Sequence, residues 1–182
     1  CDVPIKTHRR RDPELVVDEM EACIKQGYEE LHFYDDLFNI NPKRVIAICD
    51  AIDKRGLKVA WDYRGRVNGI NEESIIRFKK SGGRMISFGI ETASDEGLKI
   101  LRKASTMKQN IEALRLCRKH GIITIADFII GLPHEKTYDD VLNSIKTLSY
   151  DYRPDYAQFS ILSLYPNTQI FDQAVEKGLI DK

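Results

Sequence analysis

Apolar positions along this chain keep two rhythms in turn. In DPELVVDEMEACIKQG, Val16, Met20 and Cys23 recur at helical spacing, with Asp12 placed to cap the helix, Pro13 in its first turn and Gly27 as its stop. NPKRVIAICDAIDKRG repeats that grammar with Asn41, Pro42 and Gly56. NEESIIRFKKSGG, SDEGLKILRKAS, TMKQNIEALRLCRKHG, TYDDVLNSIKTLSYD and NTQIFDQAVEKGLIDK complete the helical set. Between them lie short β-rich runs: LHFYDD, LKVAWDYRGR, RMISFGIET, IITIADFIIG and DYAQFSILSLYP.

Short apolar strands alternating with helices predict parallel βαβ units. An open doubly wound sheet and a barrel share this pattern, but no GxGxxG opens the first crossover. The expected fold is α/β, a whole or partial parallel barrel, with residues 1–182 as one domain.

Composition excludes more than it assigns. The 28 Lys and Arg residues balance 28 Asp and Glu, so no net field draws the chain to nucleic acid or to an anionic membrane. The basic stretch HRRRD, His8 to Asp12, reads as a solvated segment. No apolar run approaches the roughly 20 residues that span a bilayer. Cys23, Cys49 and Cys117 fall in phase with apolar helix faces and are expected to be buried, whereas Cys1 is isolated from any such face. That usage fits a reducing, cytoplasmic compartment. A chain that opens on cysteine is expected to be a fragment of something longer.

Candidate chemistry sits where the apolar runs end, as it does at the strand C-termini of a parallel barrel. After HFY come Asp35 and Asp36; after VAW come Asp62, Arg64 and Arg66. After SFGI come Glu91, Thr92 and Ser94. DFIIG leads to Leu132, Pro133, His134 and Glu135, and ILSL to Tyr165 and Pro166. No Ser-His-Asp set or GxSxG elbow is evident, and HEKT lacks the second histidine of a zincin. His32 is expected to face a helix layer and His120 to lie near a helix C-terminus. A rim of carboxylates, hydroxyls and arginines suits a zwitterionic, ribose-bearing ligand: carboxylates bind ammonium and sugar hydroxyls, arginine binds carboxylate.

Taken together, HFYDDLFNIN, WDYRGRVN, ISFGIETASDEGLKIL, FIIGLPHEKT and LSLYPNTQIFDQAVEKGL resemble the catalytic barrel of radical S-adenosylmethionine (SAM) enzymes, from Cys1 to about Lys177. The resemblance is to the branch that often carries an N-terminal cobalamin-binding domain. It implies a partial (β/α)6 TIM-like barrel whose first strand and most of whose cluster loop lie upstream. It also implies SAM and a [4Fe–4S] cluster as cofactors, a flavodoxin- or ferredoxin-like reductant and an unidentified substrate.

Residue by residue, Cys1 is similar to the last cysteine of a CxxxCxxC cluster loop. Asp35 and Asp36 match the contact to the methionine ammonium of SAM. Glu91, with Thr92 and Ser94, matches the ribose-binding strand end, and Arg64 is in position for the methionine carboxylate or a substrate acid. Ile130, Gly131 and Leu132 match the segment packed on adenine, and Tyr165 the last strand end near it. His134 stands where many relatives have glycine, which reads as loop tuning. Glu135 is expected to order that loop or cap the next helix. Two other readings stay open: a non-catalytic module of the same fold, and an aldolase-like lyase. The lyase is weakened because Lys58, at a strand start, is the one lysine expected outside helices and loops.

Overall fold

The computed structural model describes residues 10–35 and 37–181. Five parallel strands, β1 (Glu30–Phe33), β2 (Ala60–Gly65), β3 (Gly83–Glu91), β4 (Ile123–Ile130) and β5 (Tyr156–Ile161), pair in the order in which they occur. Helices α1 (Pro13–Lys25), α2 (Pro42–Arg55), α3 (Glu72–Lys80), α4 (Asp95–Ile100), α5 (Met107–Lys119), α6 (Tyr138–Thr147) and α7 (Gln169–Glu176) fall where the sequence pattern predicts them. Their starts follow from local chemistry. Asp12 accepts from the Glu14 N–H, and Asn41 from the Arg44 N–H at 3.0 Å, each with proline in the first turn.

Sequential strand order decides between the two α/β architectures. A doubly wound sheet reverses direction at a switch point and covers both faces. Here every crossover advances the same way, so right-handed connections put the helices on one face, as in an arc of a barrel. That face buries Trp61, Tyr63, Ile86, Phe88, Ala126 and Phe128 in a single core. Ile48, Ile52, Ile75, Phe78 and Leu114 of the helices share it.

Period-two alternation turns the intervening residues to the other face. His32, Asp62, Arg64, Ser87 and Asp127 lie there, whereas a filled barrel interior carries layers of branched apolar side chains. The inner face is therefore a mixed wall, these polar groups standing among Met85, Ile125 and Ile129. This corrects the expectation for His32. Leu31 and Phe33 pack toward the helices, so His32 faces inward, bonded to its register partner Asp62. Cys49 and Cys117 are buried as expected, but Cys23 only partly. His120 caps the C-terminus of α5, and Lys58 precedes β2.

The helical run TYDDVLNSIKTLSYD ends in a form that the sequence does not forecast. Leu148–Tyr152 forms a π-helix, with Leu148 and Tyr152 both buried, before Arg153 turns left-handed. Among the described residues no helix is long and apolar enough to cross a membrane.

Candidate active site

The carboxyl ends of the strands form one rim, built in four parts. At the first, β1 runs into a loop that carries Asp35. Asn39, fully buried, clamps that loop to the end of β2: its Oδ1 accepts from the Arg66 N–H and its Nδ2 donates to the Arg66 carbonyl, both at 2.8 Å. The amide extends the β1–β2 pairing by a side chain. Glycine is required alongside, because a Cβ on Gly65 would lie 2.4 Å from Asn39 Oδ1 and one on Gly69 2.0 Å from the Asn39 carbonyl.

At the second part, Arg64 donates to Asp127 Oδ2 at 2.9 Å and lies 5.7 Å above the Tyr34 ring. Ser87 donates to the same oxygen at 3.0 Å. The other Asp127 oxygen is buried without a protein partner. Lower on the same wall, His32 Nδ1 lies 2.5 Å from Asp62 Oδ2. Burial pushes the Asp62 carboxyl up, while the imidazole favours its charged form.

The third part is the end of β3. The register shifts between Gly89 and Glu91, and Glu91 takes a φ of 67°. That bulge re-aims the carboxylate, which folds back over Gly89 and pairs with Lys103 Nζ at 2.7 Å; the ammonium also reaches the Gly89 carbonyl. Thr92 is fully buried with its hydroxyl unpartnered. Ser94 caps α4, accepting from the Gly97 N–H at 3.2 Å.

The fourth part follows β4. Gly131, at φ 82°, opens a loop that Glu135 holds from below. One Glu135 oxygen accepts from the Gly131 and Leu132 N–H groups at 2.8 and 3.1 Å, and the other from Ser144 at 2.7 Å. Glu135 thus orders the loop, and capping of α6 falls to Thr137. His134 is packed against Gly97 with both ring nitrogens buried and unpartnered. Leu132 is buried beneath the rim, while Tyr165, beyond β5, is 69% exposed.

Asp35, Arg64, Glu91, Thr92, Ser94, Ile130, Gly131, Leu132 and Tyr165 therefore all lie at or just beyond strand carboxyl ends. Asp36 and Cys1 lie outside the described residues. Sequence reasoning missed Asn39, Lys103 and the bonding role of Asp127. Only Asp127 left a signal, as the one acid in the most apolar run.

The orphaned Asp127 oxygen fits a polar ligand on this wall, since buried groups of this kind are normally satisfied, whereas the orphaned Thr92 hydroxyl is buried beside Gly97 of α4. A [4Fe–4S] cluster does not fit the described thiols. Cys49 and Cys117 lie within the helix layer, where burial pushes them up to about 11 and about 12, and Cys23 sits on α1.

Comparison with known proteins agrees with this geometry. The radical SAM superfamily matches residues 1–148, and the chain belongs to that superfamily of enzymes. It is 35% identical over 176 residues to an uncharacterized methyltransferase of Pyrococcus horikoshii, a match covering 96% of this chain and 38% of that protein. It is 32% identical over 177 residues to the anaerobic magnesium-protoporphyrin IX monomethyl ester cyclase of Rubrivivax gelatinosus, covering 94% of this chain and 31% of the cyclase. The chain thus spans about a third of the length of these relatives. In fold it is similar to the radical SAM methyltransferase TsrM from Kitasatospora setae, with tryptophan and a SAM analogue bound: TM-score 0.80, 22% identity, 92% of this chain and 34% of that one.

Proposed function

We propose that this chain is the SAM-binding core of a radical SAM enzyme, and that the full-length protein is a cobalamin-dependent methyltransferase. The observation that carries the first part is the continuous polar rim at the carboxyl ends of five consecutive parallel strands, in a chain of this superfamily. The second part is supported by a methyltransferase among the sequence relatives and by a structural neighbour solved with cobalamin and a [4Fe–4S] cluster bound.

Asp35, together with Asp36, receives the methionine ammonium of SAM, and Arg64 its carboxylate, with one guanidinium nitrogen already fixed by Asp127. Glu91 offers its second oxygen to the ribose, because Lys103 occupies the first. Thr92 has a hydroxyl without a protein partner, and Ser94, whose oxygen caps α4, keeps a proton to donate. Ile130, Gly131 and Leu132 pack on adenine in a loop that Glu135 holds in shape, with Tyr165 closing the far side. Bound there, SAM supplies an organic radical once one electron reaches its sulfonium. A [4Fe–4S] cluster would be held by thiolates outside the described residues, Cys1 among them, and would supply that electron from a flavodoxin- or ferredoxin-like protein.

The test is anaerobic iron–sulfide reconstitution of the full-length protein, with EPR of the reduced form before and after SAM. A [4Fe–4S]⁺ signal that SAM alters is expected. A protein that takes up no cluster, or whose signal ignores SAM, overturns the reading. Asp35→Ala should weaken SAM binding by about 1–3 kcal/mol, the loss of a charged hydrogen bond.

A further inference from the structure

Glu30, His32 and Asp62 converge on the inner face of the sheet, below the rim. Glu30 and His32 stand two residues apart on β1 and so share a face, and Asp62 is the register partner of His32 on β2. One ligand atom from each residue lies within 4.8 Å of the other two. We propose that this triad is a binding site for a divalent transition metal of the zinc class, separate from any iron–sulfur cluster.

The donor set is right for such an ion. Two carboxylates and one imidazole match Zn²⁺ and its borderline neighbours, whereas Ca²⁺ and Mg²⁺ prefer oxygen alone. Three protein ligands leave a fourth position open to water or a substrate oxygen, the arrangement of reactive zinc sites. The strands fix the three backbone positions, and the hydrogen bond between His32 and Asp62 orients two of the side chains.

The charge around the triad supplies a second, separate reason. The other two inward acids each have a full cation, Arg64 on Asp127 and Lys103 on Glu91. Asp62 is more buried than either, at 7% exposure, yet its only partner among the described residues is the imidazole. No described lysine or arginine forms an ion pair with Glu30 or Asp62. A divalent ion completes the balance. His32 is half exposed and Glu30 exposed, so a hydrated ion has a way in.

The experiment is titration of the metal-free full-length protein with Zn²⁺ alone, read by calorimetry and by X-ray absorption at the zinc edge. Glu30→Gln, His32→Ala and Cys1→Ser are compared with the unaltered chain. Beyond any zinc that the cluster thiolates take up through sulfur, one Zn²⁺ per chain is expected with nitrogen and oxygen neighbours, its affinity falling at least tenfold in Glu30→Gln and in His32→Ala, while Cys1→Ser alters only the sulfur-held fraction. Circular dichroism checks that the variants fold; Glu30, exposed at the start of β1, serves as the mild substitution. Zinc held only by sulfur, binding that both variants leave intact, or no binding overturns the site. Neither SAM nor a cluster takes part, so this result stands apart from that of the reconstitution.

Discussion

Lys103 Nζ sits 2.7 Å from Glu91 Oε1 and 3.3 Å from the Gly89 carbonyl, so one ammonium closes the bulge that ends β3. Glu91 is held at a positive φ, which costs a residue with a Cβ on the order of 1 kcal/mol. The ion pair offsets that strain and aims the carboxylate. Both side chains are less than a third exposed, so water screens the pair only in part.

Lys103→Gln should accordingly lower stability by about 1–2 kcal/mol, measured as a fall in the urea midpoint at constant slope. It should also weaken SAM binding, because Glu91 then loses its fixed orientation. A variant as stable as the parent would show that the bulge holds itself.

Asn39 and its two glycines predict a pattern of coupling. Asn39→Ala leaves the Arg66 N–H and carbonyl unpaired and should cost about 2–3 kcal/mol. Gly65→Ala should cost about 1–3 kcal/mol through overlap with the Asn39 side chain alone. The double variant should therefore be more stable than the sum by at least about 1 kcal/mol, since the alanine at 39 vacates the space. Gly69→Ala should gain only partial relief, because its Cβ meets the Asn39 backbone oxygen at 2.0 Å as well as the side chain at 2.6 Å. Denaturation of the six chains measures both cycles. Additivity at Gly65 would remove the steric account.

These pairs also mark the limit of sequence reading. Strands and helices were legible because each carries its own period and its own caps, as in Asp12–Pro13 and Asn41–Pro42. The rim was legible because strand ends are local. Asn39 was not, since its partner Arg66 lies 27 residues on. Lys103 was not, since it meets Glu91 only through the bulge. His32 was assigned to the wrong face because buried parallel strands read as apolar on both sides, so alternation alone does not say which side carries helices. The π-helix at Leu148–Tyr152 has no composition of its own to betray it.

Asp140 predicts a pH dependence. It accepts from the Thr137 hydroxyl, the Thr137 N–H and the Lys136 N–H, bonds that hold its carboxyl below the usual range. A depressed carboxyl stabilises the fold above the unfolded value near ~3.9 and loses that contribution as pH falls through the folded value. The difference in stability between the parent and Asp140→Asn should then be constant from about pH 6 to 7 and close in strong acid. Urea midpoints of both proteins across that range measure it; a gap that ignores pH would show that the carboxylate charge contributes nothing at the start of α6.

The cysteines predict a chemical selectivity that bears on cofactor loading. Burial pushes the thiols of Cys49 and Cys117 up to about 11 and about 12. At pH 8 their thiolate fractions are on the order of 10⁻³ and 10⁻⁴, and the thiolate is the species that attacks an alkylating agent or binds iron. Cys23, only partly buried on α1, is more open to an alkylating agent. Iodoacetamide on the folded chain, followed by peptide mapping, should label Cys23 well before Cys49 or Cys117. If the two buried thiols react as fast while the fold persists, the helix layer opens more freely than its packing implies. Cys23 lies in a helix on the far side of β1 from the chamber wall, so Cys23→Ser should leave iron uptake by the reconstituted full-length protein unchanged.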